Sequence, residues 1–192
     1  MATKARMFNR EAANPRNKPE EILKYLGLKV GQKVADIGAG GGYFSLRLAE
    51  IVGQTGKVYA VDVDPGELEF INRMAQEKSL DNIKVLLTKK MELSLPEKVD
   101  LMFLRNVYHH LKNRVRYFTN LKQFLESDGR IAIVEHERGR RFNLSRIFEH
   151  RVTQAIIIGE MEEAGYNASE KLGFLSDQSF TIFSTSSYRK EI

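Results

Sequence analysis

The chain has 192 residues and no cysteine, which excludes disulfides, thiolate metal sites and a cysteine nucleophile. Hydrophobic residues make up 42% and charged residues 29%, a globular balance that suits one α/β domain and excludes a disordered or membrane-embedded chain. The net charge of +5 is scattered rather than collected on one segment; its one dense stretch, Arg138-Gly139-Arg140-Arg141, reads as a solvated loop, so a nucleic-acid partner is not expected.

The first 17 residues are polar and lack the apolar centre of a secretory signal. No apolar run approaches the ~20 residues of a bilayer span. A cytoplasmic protein without membrane insertion is predicted, and no pattern specifies an oligomeric state. Residues 1–17 form an N-terminal extension in which Met7-Phe8-Asn9-Arg10 is a candidate lid over a ligand, set against a frayed terminus. Residues 18–192 are read as one domain. Pro19-Glu20-Glu21 opens a helix, with Pro at an early position and acids facing the positive end of the helix dipole, and Gly27 closes it.

From Lys33 onward short apolar runs alternate with helical patterns. Predicted strands are Lys33–Ile37, Lys57–Asp62, Ile83–Leu87, Val99–Leu104 and Arg130–Glu135, with helices at Tyr43–Val52, Pro65–Lys78 and Arg114–Ser127. A further helix over Ser145–Ala164 precedes two extended runs, Ser169–Leu175 and Ser179–Ser184, joined by Ser176-Asp177-Gln178. The alternation predicts a mostly parallel sheet with helices on both faces. The short final link requires an antiparallel hairpin at one edge, because parallel neighbours need a long crossover.

The segment Val34-Ala35-Asp36-Ile37-Gly38-Ala39-Gly40-Gly41-Gly42-Tyr43 runs from a strand through a glycine-rich turn into a helix. In open α/β sheets this first strand-to-helix turn is where nucleotides dock, with bare backbone available to the ligand. The dinucleotide fingerprint fails at Tyr43, and no Gly-Lys-Ser/Thr follows to make a Walker loop. What remains is Asp-x-Gly-x-Gly-x-Gly, whose carboxylate, Asp36, repels a pyrophosphate and suits a ligand carrying positive charge. S-Adenosylmethionine (SAM) is such a ligand, with a sulfonium and an α-ammonium. Asp62 ends the next strand 22 positions after Gly40, the spacing of an acid that accepts from ribose hydroxyls. Asp64-Pro65-Gly66-Glu67 instead fits a helix cap.

Taken together, Asp36…Gly42, Val58…Asp62, Val99-Asp100-Leu101-Met102 and Asp128-Gly129-Arg130-Ile131-Ala132-Ile133-Val134 resemble the class I SAM-dependent methyltransferases, and among them the menaquinone/ubiquinone-biosynthesis-like group, over about residues 18–184. The resemblance implies a Rossmann-like three-layer fold with a seven-stranded sheet of order 3-2-1-4-5-7-6 and strand 7 antiparallel. It implies SAM as cofactor, methyl transfer by in-line displacement to a small-molecule acceptor, and cofactor contacts at Asp36, Gly38, Gly40, Asp62 and Asn106. Alignment with the family puts Lys89 where an acid usually accepts from the adenine amine; lysine has no acceptor, which leaves backbone groups and apolar packing, with Met91 as a candidate.

Catalysis here requires little beyond positioning, because near-attack geometry supplies ~7–11 kcal/mol. His109, which the resemblance places by the acceptor pocket, and Glu135, at the end of the fifth predicted strand, are the candidate catalytic residues. His110 is read as packing or capping the following helix. Arg105 and Arg151 are candidates to hold an acidic acceptor. Glu149-His150-Arg151-Val152 resembles a stretch that recurs in close relatives. No metal-ligand spacing is present, and no metal is expected. The alternatives are an RNA- or protein-directed methyltransferase, or a SAM-binding module without catalysis. Leu104-Arg105-Asn106-Val107 lacks the Asn/Asp-Pro-Pro-aromatic signature of base amino-methyltransferases.

Overall fold

The computed structural model describes residues 2–89, 92–136 and 152–185. Their elements are α1 (Ala2–Ala12), α2 (Pro19–Leu26), β1 (Lys33–Ile37), α3 (Tyr43–Val52), β2 (Lys57–Asp62), α4 (Pro65–Glu77), β3 (Ile83–Leu87), β4 (Val99–Arg105), α5 (Arg114–Leu121), β5 (Leu125–His136), α6 (Gln154–Glu163), β6 (Asn167–Leu172) and β7 (Gln178–Ser184). The strands form a seven-stranded sheet of order β3-β2-β1-β4-β5-β7-β6. β7 is antiparallel to both β5 and β6, and the other pairings are parallel. This is the Rossmann-like methyltransferase topology expected from the sequence.

Both faces of the central strands are buried, as a parallel sheet under two helix layers requires. Alternate residues therefore feed two cores. Val34, Leu101 and Phe103 pack with Phe44 and Leu48 of α3 and with α2 and α4. Ala35, Ile37, Met102 and Leu104 pack with Phe118 of α5 and Met161 of α6. By the same alternation Asp36 and Arg105 share the face of Phe103, whose ring lies 5.0 Å from that of Phe44.

The local start and stop signals operate as their chemistry dictates. Gly27 ends α2 at φ 59°. Asp64 caps α4 by accepting from the Gly66 amide at 2.9 Å, with Pro65 in the first position. The boundaries move in four elements; one is β6, which spans Asn167–Leu172 where Ser169–Leu175 is predicted. β5 begins at Leu125, not Arg130, because Val99 pairs with Leu125 before a bulge shifts the register to Leu101–Arg130. α5 accordingly stops at Leu121 and a 3-10 turn over Lys122–Phe124 delivers the chain to the strand. α6 begins at Gln154, where Thr153 caps it; the earlier part of the predicted helix, with Arg138, Arg140, Arg141 and the Glu149-His150-Arg151 stretch, lies outside the described residues.

The N-terminal extension holds a regular helix, α1, followed by a 3-10 turn over Pro15–Asn17. α1 buries Ala5 and Ala12 against α3 and α4, and Lys4 anchors it to Asp64 at 2.8 Å. Among the described residues no helix is long and apolar enough to cross a membrane.

Phe103 is fully buried at the junction of β4 and α3. Phe103→Ala is expected to cost about 3–5 kcal/mol through lost transfer energy and the cavity left behind, read as a lowered midpoint in urea unfolding; a loss under about 1 kcal/mol would place Phe103 outside the packed core.

Candidate functional site

The carboxyl ends of β1, β2 and β4 open into a pocket of about 440 Å³, roofed on one side by α1. Asp36, Gly38, Gly40, Asp62, Lys89 and Asn106 all line it. Met91 lies outside the described residues.

The glycine turn is held from below and from the side. The amides of Gly38 and Ala39 both donate to the Val61 carbonyl, at 2.8 and 3.0 Å. The Gly40 amide donates to Asp62 Oδ2 at 2.9 Å, and Asp62 Oδ1 accepts from the Val63 and Asp64 amides. Asp62 is thus fixed by three backbone donors before any ligand arrives. Two glycines are dictated by neighbours. At Gly38, with φ 74°, a Cβ would run into the Val107 side chain; at Gly41 it would run into the Ala5 carbonyl and Asn9 of α1. Asn9 in turn accepts from the Tyr43 amide at 3.0 Å, so α1 caps the first turn of α3 with a side chain from outside that helix.

Asp36 is buried, and its partner is the Ser45 hydroxyl, which donates to Oδ2 at 2.5 Å. Burial pushes its carboxyl up to about 7, against the pull of Ser45; nearby Asp62 adds to the rise and Arg105 opposes it. The site therefore presents a carboxyl that ionises readily once a cation enters. Lys89 sits at the rim in an isolated bridge to Glu92, and Thr88 beside it also lines the pocket.

Asn106 has φ 56°, a left-handed conformation that asparagine tolerates better than most residues. Its amide donates to the Val134 carbonyl at 2.8 Å, and its side-chain oxygen accepts from Gln178 of β7, also at 2.8 Å. The terminal hairpin thereby orients a pocket residue 72 positions earlier in the chain.

His109 and Glu135 do not line this pocket. They meet each other beside it: His109 Nδ1 lies 2.8 Å from Glu135 Oε1, and the His109 amide donates to Oε2 at 3.4 Å. Glu135 is 1% exposed. A buried carboxylate opposite Nδ1 fixes the proton there and makes Nε2 the basic nitrogen. His110, read as a packing residue, is the histidine that lines the pocket; its ring centroid is 3.9 Å from that of His109. The turn carrying both is anchored by Tyr108, which donates to Glu160 of α6 at 2.7 Å, and Glu160 also takes the Arg114 guanidinium at 2.6 and 2.7 Å.

The pocket-lining side chains of α1 include Phe8 and Asn9 of the candidate lid, and also Lys4 and Glu11, which the sequence did not single out. The available signal was the spacing Ala5, Phe8, Ala12, which puts one apolar stripe on a helix. Among the described residues no group of three or more His, Asp or Glu side chains is arranged to hold a metal ion.

A family model described as a methyltransferase domain matches residues 28–169. Among curated proteins, the chain is 28% identical over 109 residues to the (S)-coclaurine N-methyltransferase of Thalictrum flavum subsp. glaucum, covering 57% of this chain and 30% of that protein. It is 26% identical over 120 residues to the demethylmenaquinone methyltransferase of Geobacillus sp. (strain WCH70), covering 60% of this chain and 50% of that protein. The chain thus spans half or less of the length of these relatives. A solved SAM-dependent methyltransferase from Aquifex aeolicus superposes with a TM-score of 0.83 at 24% identity over 93% of this chain and 95% of that one, a shared fold.

The buried Asp36 carboxyl sets a pH dependence. Folding raises it from an ordinary value near 3.8 to about 7, so between those values the folded chain holds a proton that the unfolded chain has released. The stability it contributes is full below pH 3.8 and is lost as pH rises to about 7. Denaturation at several pH values should show the ligand-free wild type losing up to ~1.4 kcal/mol per pH unit more than Asp36→Asn across that window; parallel profiles would mean Asp36 is ionised throughout.

Proposed function

This chain belongs to the methyltransferase-domain family, and on that premise we propose that its pocket binds SAM and that it transfers the methyl group to a small-molecule acceptor. The observation that carries the reading is the pairing of a pocket-lining glycine backbone with two differently held acids, Asp62 and Asp36, in one pocket of about 440 Å³. When bound, SAM supplies an electrophilic methyl group on a sulfonium.

Each residue has a definite task in this reading. Asp62, with its carboxylate already fixed by backbone amides, accepts from the ribose hydroxyls. Gly38 and Gly40 bring bare backbone to the pocket wall along the turn. Asp36 faces the cationic end. Asn106, oriented by Gln178, holds the methionine portion. Lys89 and Thr88 border the adenine end, where packing rather than an acidic side chain retains the base. Residues 1–17 act as the lid, with α1 excluding water from the pocket. His109, oriented by Glu135, takes a proton from the acceptor as that atom is methylated.

The acceptor is a small molecule. The curated relatives named above are an N-methyltransferase and a demethylmenaquinone methyltransferase, which supports a small acceptor and leaves its reacting atom unassigned. A cytoplasmic location, without membrane insertion, completes the proposal; it draws on the absence of a membrane-spanning helix among the described residues.

S-Adenosylhomocysteine is expected to raise the thermal midpoint of the wild type, and Asp62→Ala to weaken its binding by roughly 10- to 100-fold through loss of charge-assisted hydrogen bonds. Calorimetric titration checks both; no binding by the wild type would end the SAM reading, and full affinity in the variant would remove Asp62 from the ribose. In a labelled-methyl assay His109→Ala and Glu135→Gln should each lower turnover by about 10²-fold or more without loss of cofactor affinity.

A further inference from the structure

The pocket runs across the ends of neighbouring strands in the order β3-β2-β1-β4. Asn106 follows β4, Asp36 lies at the end of β1, Asp62 closes β2, and Thr88 and Lys89 follow β3; all of them line it. With a ribose at Asp62 and the cationic end of the ligand at Asp36, the base falls on the β3 side, against Val63, Thr88 and Lys89. Val63 is 47% exposed and lines the pocket, so it offers an apolar face to a flat ring. Apolar packing discriminates weakly between ring substituents; a hydrogen-bonding partner is what tells an amine from a carbonyl.

The groups that could receive an amine at that end are engaged or lie elsewhere. The acids lining the pocket are Glu11, Asp36 and Asp62. Glu11 lies toward β4 and β5, 3.9 Å from Arg105 and 3.8 Å from His136. Asp36 accepts from Ser45, and Asp62 is assigned to the ribose. Asp64 takes Lys4 at 2.8 Å. Glu92, the acid nearest to Lys89 along the chain, lines a second cavity of about 390 Å³ against Tyr117 and Leu121 of α5. The main chain is committed as well. The Asp62 carbonyl accepts from the Thr88 amide at 3.0 Å, and the Lys89 carbonyl from the Glu92 amide at 3.1 Å. The Thr88 hydroxyl donates to the Glu92 carbonyl. What remains is the ammonium of Lys89, which is exposed and forms no ion pair among the described residues. It has three donors and no acceptor.

We propose that Lys89 sets the base specificity of the pocket by donating to the purine edge, so that the site takes a 6-oxopurine cofactor as readily as a 6-aminopurine one. An ammonium can donate to ring nitrogen N1 of adenine or to the O6 carbonyl of hypoxanthine; the exocyclic amine, itself a donor, gains nothing from it. A site that receives the amine on a carboxylate behaves differently, because the oxo analogue leaves that acceptor facing an oxygen. The proposal rests on the SAM pocket, whose ribose and cationic ends it leaves unchanged.

The test uses a pair of ligands that differ only in the base: S-adenosylhomocysteine and S-inosylhomocysteine, which carries a carbonyl oxygen in place of the 6-amine and a proton on N1. Calorimetric titration of the wild type should give affinities within about threefold of one another, or favour the inosyl ligand. Lys89→Glu puts an acceptor where the donor was and should favour the adenosyl ligand by about 10-fold or more. A wild-type preference of that size for S-adenosylhomocysteine overturns the proposal, since an acceptor then reads the amine. An unchanged ratio in Lys89→Glu overturns it too, by removing position 89 from the base. If Lys89→Glu loses both ligands, the wild-type ratio decides. Wild-type protein that binds neither ligand overturns the SAM pocket itself, a result distinct from the others.

Discussion

Parallel pairing of β1 between β2 and β4 is the constraint on which the site depends. β1 meets β2 from Lys33–Lys57 to Ile37–Val61, and β4 from Val34–Leu101 to Ile37–Leu104. In that register three strands end within a residue or two of one another, and their last two positions carry Asp36, Asp62 and Arg105. A slip of one residue would turn each of them into the apolar layer on the opposite face. The apolar alternation of Val34, Ala35 and Ile37 with Leu101, Phe103 and Leu104 thus fixes the charges as firmly as it fixes the core.

The charges gathered there are held in different ways, and the difference is chemical. Asp62 is satisfied by three main-chain amides and keeps its remaining lone pairs for a neutral donor. Asp36 is buried against the hydroxyl and backbone of Ser45 and sits near the edge of ionisation. Arg105 is buried with too few acceptors. The expense of leaving the last two poorly partnered is borne by the packing of two full cores, a common distribution of strain between site and scaffold. α1 is tied down by Lys4 and Asn9 at polar points that border the pocket.

Much of this was legible in the sequence because the signals were local. Strands β1, β2 and β3 and helix α3 fall where short apolar runs meet glycine or a capping residue, and Asp36, Gly38, Gly40 and Asp62 follow from their places in that frame. What escaped was set by distant partners. The length of β5 depends on Leu125 pairing with Val99 across a bulge. The order of α1 depends on a glycine at position 41, where a side chain would meet the Ala5 carbonyl. The orientation of Asn106 comes from Gln178, and nothing near either residue announces it. The adjacent pair His109-His110 shows the limit most clearly: a 3-10 turn sends one ring to a buried glutamate and the other to the pocket, a division of one residue that periodicity does not encode.

The central claim is that the main chain at residues 38–42, flanked by Asp36 and Asp62, receives an adenosyl cofactor. A crystal structure of the complex with S-adenosylhomocysteine tests it most directly. The account predicts ribose hydroxyls on Asp62 and the cationic end of the ligand at Asp36. Ligand density elsewhere on the molecule, with this pocket filled only by water, would contradict it.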